Sequence, residues 1–124
     1  MTSTRITPTL PVVDLERAKR FYVDKLGFKV VMDDPSPGAL LQTDGTCGNL
    51  YIYQRAPTKA DHTVADFTVE DVEATVKELR DKGIVFEEYD LPNLKTTNGI
   101  FSMNGYKSAW FKDTEGNILA VSNM

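Results

Sequence analysis

Histidine, cysteine, long apolar runs and a surplus of positive charge are what this chain of 124 residues has least of. Lys and Arg number 14 against 18 Asp and Glu, giving a formal charge of −4 and a pI near 4.9. The bases are scattered among the acids instead of forming a stripe, so no nucleic-acid partner is expected. No apolar run approaches the roughly 20 residues needed to cross a bilayer, so no membrane partner is expected either. The opening MTSTRITPTL lacks an apolar core and does not read as a signal peptide. Cys47 is the one cysteine, which excludes an internal disulfide and agrees with a reducing, cytoplasmic location. In the turn-like stretch TDGTCGN it reads as a loop thiol, because no partner base is identifiable nearby. Phosphate-cradling glycine loops and activated-serine motifs are absent.

What the chain does have is an internal repeat, the feature to be sought first in any sequence. PVVDLERAKRFYVDKLGFKV and FTVEDVEATVKELRDKGIVF match at an offset of 57, pairing Val12 with Val69, Asp14 with Asp71, Glu16 with Glu73 and Asp24 with Asp81. Gly27 and Gly83 match after a slip of one residue. In each copy an aspartate stands where a helix would begin, able to cap free backbone N–H groups. A glutamate follows in the first turn, where the helix dipole favours negative charge. Leu15, Ala18, Tyr22 and Leu26 recur at helical spacing, as do Val72, Val76 and Leu79. Gly27 and Gly83 then supply the left-handed residue that ends each helix.

The rest of the chain reads as strands. FKVVMDD, GALLQT and GNLYIYQ follow the first helix, with the turn DGTCG between the last two. IVFEEYD, GIFSM, KSAWFKD and NILAVSN follow the second. The expected organisation is a single domain of two modules, about 1–54 and about 62–124, joined by the polar connector 55–61. Residues 90–99, DLPNLKTTNG, read as a longer loop, either a solvated connection or a binding loop.

Two βαβββ halves, the run V-x-D-L-x-x-A-x-x-F-Y-x-x-x-L-G-F at residues 12–28 and F-K-D-x-x-G-N at 111–117 together resemble the glyoxalase, bleomycin-resistance and extradiol dioxygenase superfamily, also called vicinal oxygen chelate. The resemblance implies an α+β fold in which two curved mixed sheets face each other around a cavity. It also implies a homodimer, sometimes with modules exchanged between chains.

In the superfamily's metalloenzymes the ligands project from the first and last strands of each half. Counting from the helix-starting aspartates places those positions at Thr7 and Val64. Counting from Gly116 places another at Ala120, and its counterpart in the first half is Tyr51, or Ile52 if the two GN pairs are aligned. Valine and alanine have no donor atoms, and a threonine hydroxyl is a poor ligand for soft-to-borderline ions. His62 is two residues from one ligand position, on the same face but about 6–7 Å farther along the strand. A register shift could bring in His62 and Asp66, yet one histidine and one carboxylate leave a site short. No metal and no cofactor are expected.

Period-two alternation names the side chains expected to face the cavity. They are Thr7 and Thr9, Tyr51 and Tyr53, His62, Val64, Asp66 and Thr68, and Ala120 and Ser122. Leu10, Val12, Leu50, Ile52, Ala65, Phe67, Leu119 and Val121 have the opposite parity and should pack on the helices. Trp110 is either a core anchor or an aromatic wall. Glu87 and Glu88 are adjacent on a strand, so they should point to opposite faces. Such a lining, half apolar with a few orienting polar groups, suits a small molecule. The expectation is a metal-free binding or sequestering protein for an aromatic or amphipathic compound, as in antibiotic resistance. The alternatives are a glyoxalase-like lyase, isomerase or dioxygenase, and a protein-interaction module.

Overall fold

A computed structural model of the chain describes residues 1–2, 6–43 and 48–123. Cys47 and most of the turn DGTCG lie outside the described residues. The chain divides into two compact units, Met1–Lys59 and Ala60–Met124, with two helices and two four-stranded mixed sheets among the described residues.

The first unit runs β1 (Thr9–Val12), α1 (Leu15–Arg20), β2 (Lys29–Asp34), β3 (Gly38–Gln42) and β4 (Asn49–Gln54). Its sheet has the order β1-β4-β3-β2, parallel between β1 and β4 and antiparallel elsewhere. Asp14 caps α1 as expected, its carboxylate accepting from Arg17 N at 3.1 Å. Gln54 Oε1, reaching across from β4, accepts from Leu15 N at 3.0 Å. Beyond Arg20 the helix widens into a π turn, Phe21–Lys25. The even 3.6-residue periodicity expected through Leu26 therefore breaks. Adjacent Phe21 and Tyr22 are both buried, edge-to-face at 5.3 Å, while Leu26 is only half-buried. Gly27 ends the helix at φ 78°, as its position predicted. Leu10, Val12, Leu50, Ile52, Ala39 and Leu41 form the buried face of the sheet, none more than 1% exposed.

The second unit runs β5 (Thr63–Thr68), α2 (Val72–Asp81), β6 (Asp90–Leu91), β7 (Leu94–Lys95), β8 (Ile100–Met103), β9 (Tyr106–Lys112) and β10 (Ile118–Ser122). Its sheet, β5-β10-β9-β8, has the same plan as the first. Asp71 caps α2 through Ala74 N at 3.0 Å, and Gly83 leaves it at φ 90°. The core contains Val72, Val76 and Leu79 of α2, with Ile84, Phe86, Ala109, Phe111, Leu119 and Val121. Ala65 and Phe67 share the parity of that core face but stay half-buried, because β5 is the sheet's edge.

Two expectations are corrected here. IVFEEYD does not form a continuous strand: Phe86 makes one bridge to Phe111, and Glu87 N donates to Trp110 O at 2.8 Å before the chain turns away. Residues 90–99 are not simply loop, since β6 and β7 form a short antiparallel hairpin around Pro92 and Asn93. This segment is held to the second unit by side chains distant in sequence. Glu88 Oε1 accepts from Thr96 Oγ1 at 2.6 Å and from Gly99 N at 2.8 Å. Arg80 Nη2 donates to Asn98 O at 2.6 Å. These bonds hold the Glu88 carboxyl below the usual carboxylate range, the Thr96 hydroxyl contributing most and Arg80 least. Glu88 thus lies toward α2 while Glu87 meets Lys112 at 3.6 Å, in keeping with their expected opposite orientation.

Candidate functional site

Strand pairing puts Thr9, Tyr51 and Tyr53 on one face of the first sheet and Asp66, Thr68, Ala120 and Ser122 on one face of the second, in each case the face away from the helix. In the first unit Thr9 pairs with Tyr51 and Pro11 with Tyr53, and Leu40 lies opposite Tyr51 on β3. Gly38 lies opposite Tyr53, and Asp34 opposite Gly38. Thr7 precedes β1 instead of belonging to it, and its carbonyl accepts from Thr9 Oγ1 at 3.1 Å. Tyr51 crosses diagonally over Gly38, where any Cβ would collide with the phenol oxygen and would stand 2.7 Å from Cζ. The missing side chain is what lets the ring lie there.

The Tyr51 hydroxyl then donates to Asp34 Oδ2 at 3.0 Å, and Ser36 N donates to Oδ1 at 3.0 Å. The Ser36 bonds and then Tyr51 hold the Asp34 carboxyl below its ordinary value. A group depressed in the folded state contributes stability above its unfolded pKa and loses it as pH falls through the folded one. Tyr51→Phe is therefore expected to move the Asp34 midpoint upward, followed by NMR titration of its carboxyl carbon. An unmoved midpoint would mean that Ser36 alone sets it. Asp34 and Gly38 were missed in the sequence because their relation to Tyr51 runs across three strands. The turn-rich DDPSPG, which brings β2 back along β3, was the available signal.

In the second unit Ala120 pairs with Asp66 on one side and with Trp110 on the other, and Ser122 pairs with Thr68 and Ser108. Ser122 Oγ donates to both Asp66 carboxylate oxygens, at 3.0 and 3.1 Å. Trp110 is half-buried on this face and meets Tyr89 edge-to-face at 5.5 Å. Burial and then the nearby Glu87 charge push the Tyr89 phenol up. Phe101, opposite Ser108 on β8, meets Tyr106 at 6.3 Å. The irregular path of residues 84–99 hides the register of Tyr89 in the sequence.

His62 is exposed and precedes β5. A register irregularity lies beside it: Thr63 pairs with Ile118 but Ala65 with Leu119, so Val64 has no partner on β10. Alternation cannot be carried backward from Asp66 through such a bulge. The expected polarity split also differs in β10, where Ala120 and Ser122 are as buried as Leu119 and Val121.

The superfamily's metal centre does not fit these residues. Val64 and Ala120 offer no donor, the Asp66 carboxylate is engaged by Ser122, and no group of three or more His, Cys, Asp or Glu side chains comes together among the described residues. A polar groove of about 340 Å³ lies elsewhere in the second unit, on the helix side, where Lys107 pairs with Glu73. None of the expected site residues lines it.

Two βαβββ units, each with a sheet face turned away from its helix, define a class of α+β protein. The chain belongs to the Glyoxalase/Bleomycin resistance protein/Dioxygenase superfamily, whose family model matches residues 5–121. Similar solved structures include UcmS2, 22% identical over 100% of both chains with a TM-score of 0.78. TnmS3, an antibiotic binding protein from Streptomyces sp. CB03234, is 22% identical over 98% of this chain and 96% of its own, with a TM-score of 0.71. A mutant of the fosfomycin resistance protein FosX from Listeria monocytogenes, complexed with Mn(II) and 1S,2S-dihydroxypropylphosphonic acid, is 15% identical over 99% and 91%, with a TM-score of 0.68. No curated protein matches the chain. No described helix is long and apolar enough to cross a membrane.

Proposed function

We propose that this protein binds an aromatic or amphipathic small molecule on its open sheet faces, without a metal ion, and acts by sequestration instead of catalysis. The observation that carries the reading is the Trp110–Tyr89 pair on the same face as Asp66 and Ser122, an aromatic wall with a polar anchor nearby. Small-molecule sites have this composition. In the second unit Val64 belongs to the same proposed contact surface, with His62 at its margin and Ala120 lying beneath it; in the first unit the proposed contacts are Thr7, Thr9, Tyr51 and Tyr53. The similarity to an antibiotic binding protein agrees with this reading. A cytoplasmic homodimer, with or without exchanged modules, belongs to the same proposal.

The test pairs metal content with ligand screening. After growth in medium supplied with zinc, nickel, iron and manganese, mass spectrometry of the purified protein is expected to find near-zero metal per chain. In a library of hydrophobic ligands, binders are expected to raise Tm by several degrees, since a ligand at a hundredfold over its Kd stabilises by about 2.7 kcal/mol. Stoichiometric metal lost on His62→Ala would replace this reading with a lyase, isomerase or dioxygenase. A library without a single stabilising compound would remove its main support.

A further inference from the structure

The sheet faces away from the helices hold charge as well as aromatic surface, and on each face a carboxylate stands apart from the lysine that shares it. Asp66 lies on the face of β5 beside Ala120, and its direct partner is a neutral hydroxyl, Ser122 Oγ. Among the described residues it has no ion-pair partner of its own, although it is exposed and able to receive one. The nearest cation by register is Lys112, two residues beyond Trp110 on β9, and Glu87 already sits 3.6 Å from its ammonium. The first unit repeats the pattern. Asp34 is held by Tyr51 and Ser36, both neutral donors, and its carboxyl is kept ionised at neutral pH. Lys29 stands at the other end of β2 from Asp34, about 16 Å away at 3.3 Å per residue. An ionised carboxylate with only hydroxyl and amide donors keeps a strong preference for a cation.

Spacing adds a second condition. Asp66, Ala120 and Trp110 form one row across β5, β10 and β9. Two strand spacings separate the backbones of Asp66 and Trp110, about 9.5 Å. The residues between them, Ala120 with Ser122 and Ser108 in the next row, are small and nearly unexposed. Because these residues are already covered, a molecule reaching along the row would rest on its two ends, its charged group at Asp66 and its ring at Trp110 and Tyr89.

We propose that the molecule bound by the second unit is a cation: a planar aromatic compound carrying an ammonium or similar group on a short arm, received by Asp66 while its ring meets Trp110. This rests on the binding function proposed above and adds the charge and spacing of its ligand. Trp110 is the one tryptophan in the chain, so its fluorescence reports on this face alone.

Three probes matched in ring and arm decide the matter: 2-(1-naphthyl)ethylamine, 2-(1-naphthyl)ethanol and 3-(1-naphthyl)propionate. Each is titrated by calorimetry, with the Trp110 emission followed in parallel at low and high salt. The amine is expected to bind at least tenfold tighter than the alcohol, the acid weakest, with the amine's advantage shrinking as salt rises. Asp66→Asn, which keeps an acceptor for Ser122, is expected to bring the amine-to-alcohol ratio close to one. Equal binding of amine and alcohol to the native protein overturns the charge assignment and leaves the binding function standing. A ratio that survives in Asp66→Asn overturns the choice of Asp66. Failure of all three probes, and of the wider library, takes the binding function down with it.

Discussion

Phe111→Ala is expected to destabilise the protein by about 3–5 kcal/mol, the range for removing a buried aromatic ring. Phe111 has no solvent exposure and stands 5.3 Å from Phe86, edge-to-face. It is paired with Leu119 through the sheet and bridged to Phe86 across the edge of β9. The ring therefore joins the sheet to the irregular segment leading toward Tyr89. Relaxation around the gap is restricted because Ala109, Leu119 and Leu79 are themselves buried and tied to regular elements. The lost transfer energy and the residual cavity then add. Urea unfolding monitored by circular dichroism measures the loss as a lower midpoint with an unchanged slope. A loss below about 1 kcal/mol would show that the site collapses around the missing ring, and that this core is looser than the burial of its members implies.

Asp113→Ala is expected to cost about 3 kcal/mol for a different reason. Asp113 is 6% exposed, and its carboxylate accepts from Glu115 N, Asn117 N and Asn117 Nδ2, each at 2.8 Å. Asn117 is itself buried, so the alanine variant leaves its donors without their partner in a place water reaches poorly. Each orphaned donor costs about 1–3 kcal/mol. The damage is not confined to the turn, because this turn joins β9 to β10 and so aligns Trp110 with Ala120 and Ser122. Asp113→Asn keeps an acceptor and is expected to lose less. The double variant Asp113→Ala with Asn117→Ala should be less damaged than the sum of the two single changes, since removing both partners leaves fewer orphans. Strict additivity in thermal or urea unfolding would show that the two side chains do not depend on each other.

Both variants act on the scaffold. The binding proposed above concerns instead Tyr51 and Asp34 in the first unit and Asp66 in the second, on the sheet faces away from the helices. That separation has a practical consequence: substitutions there should change recognition with little loss of stability, because Asp66 is exposed and Tyr51 only half-buried.

How far the sequence alone reaches can be followed residue by residue. The repeat at an offset of 57 was legible because each copy spells out a local event. Asp14 and Asp71 do cap their helices, and Gly27 and Gly83 do leave them with positive φ. The Asn104–Gly105 turn, with φ of 52° and 88°, closes β8 onto β9 in the same local way. Alternation within a strand also carried through where the strand is regular, as at Leu10, Val12, Leu50 and Ile52.

Everything that depends on two segments meeting was decided by tertiary structure. The unpaired Val64 in β5 is invisible in its own stretch, because a bulge is a property of a pairing and not of one strand. The π turn at Phe21–Lys25 appears where two neighbouring aromatics must both be buried, which only the packing requires. Glu88 gathers Thr96 and Gly99 from eight and eleven residues away and turns an expected loop into an anchored hairpin. Gly38 reads only as the first residue of a strand until Tyr51 is laid across it. The sequence by itself determined the two βαβββ units and the helix-facing residues of their regular strands, because caps, glycines and periodicity act within a few residues. Which side chains meet on those faces, and so what they can bind, followed from register and packing between strands far apart in the chain.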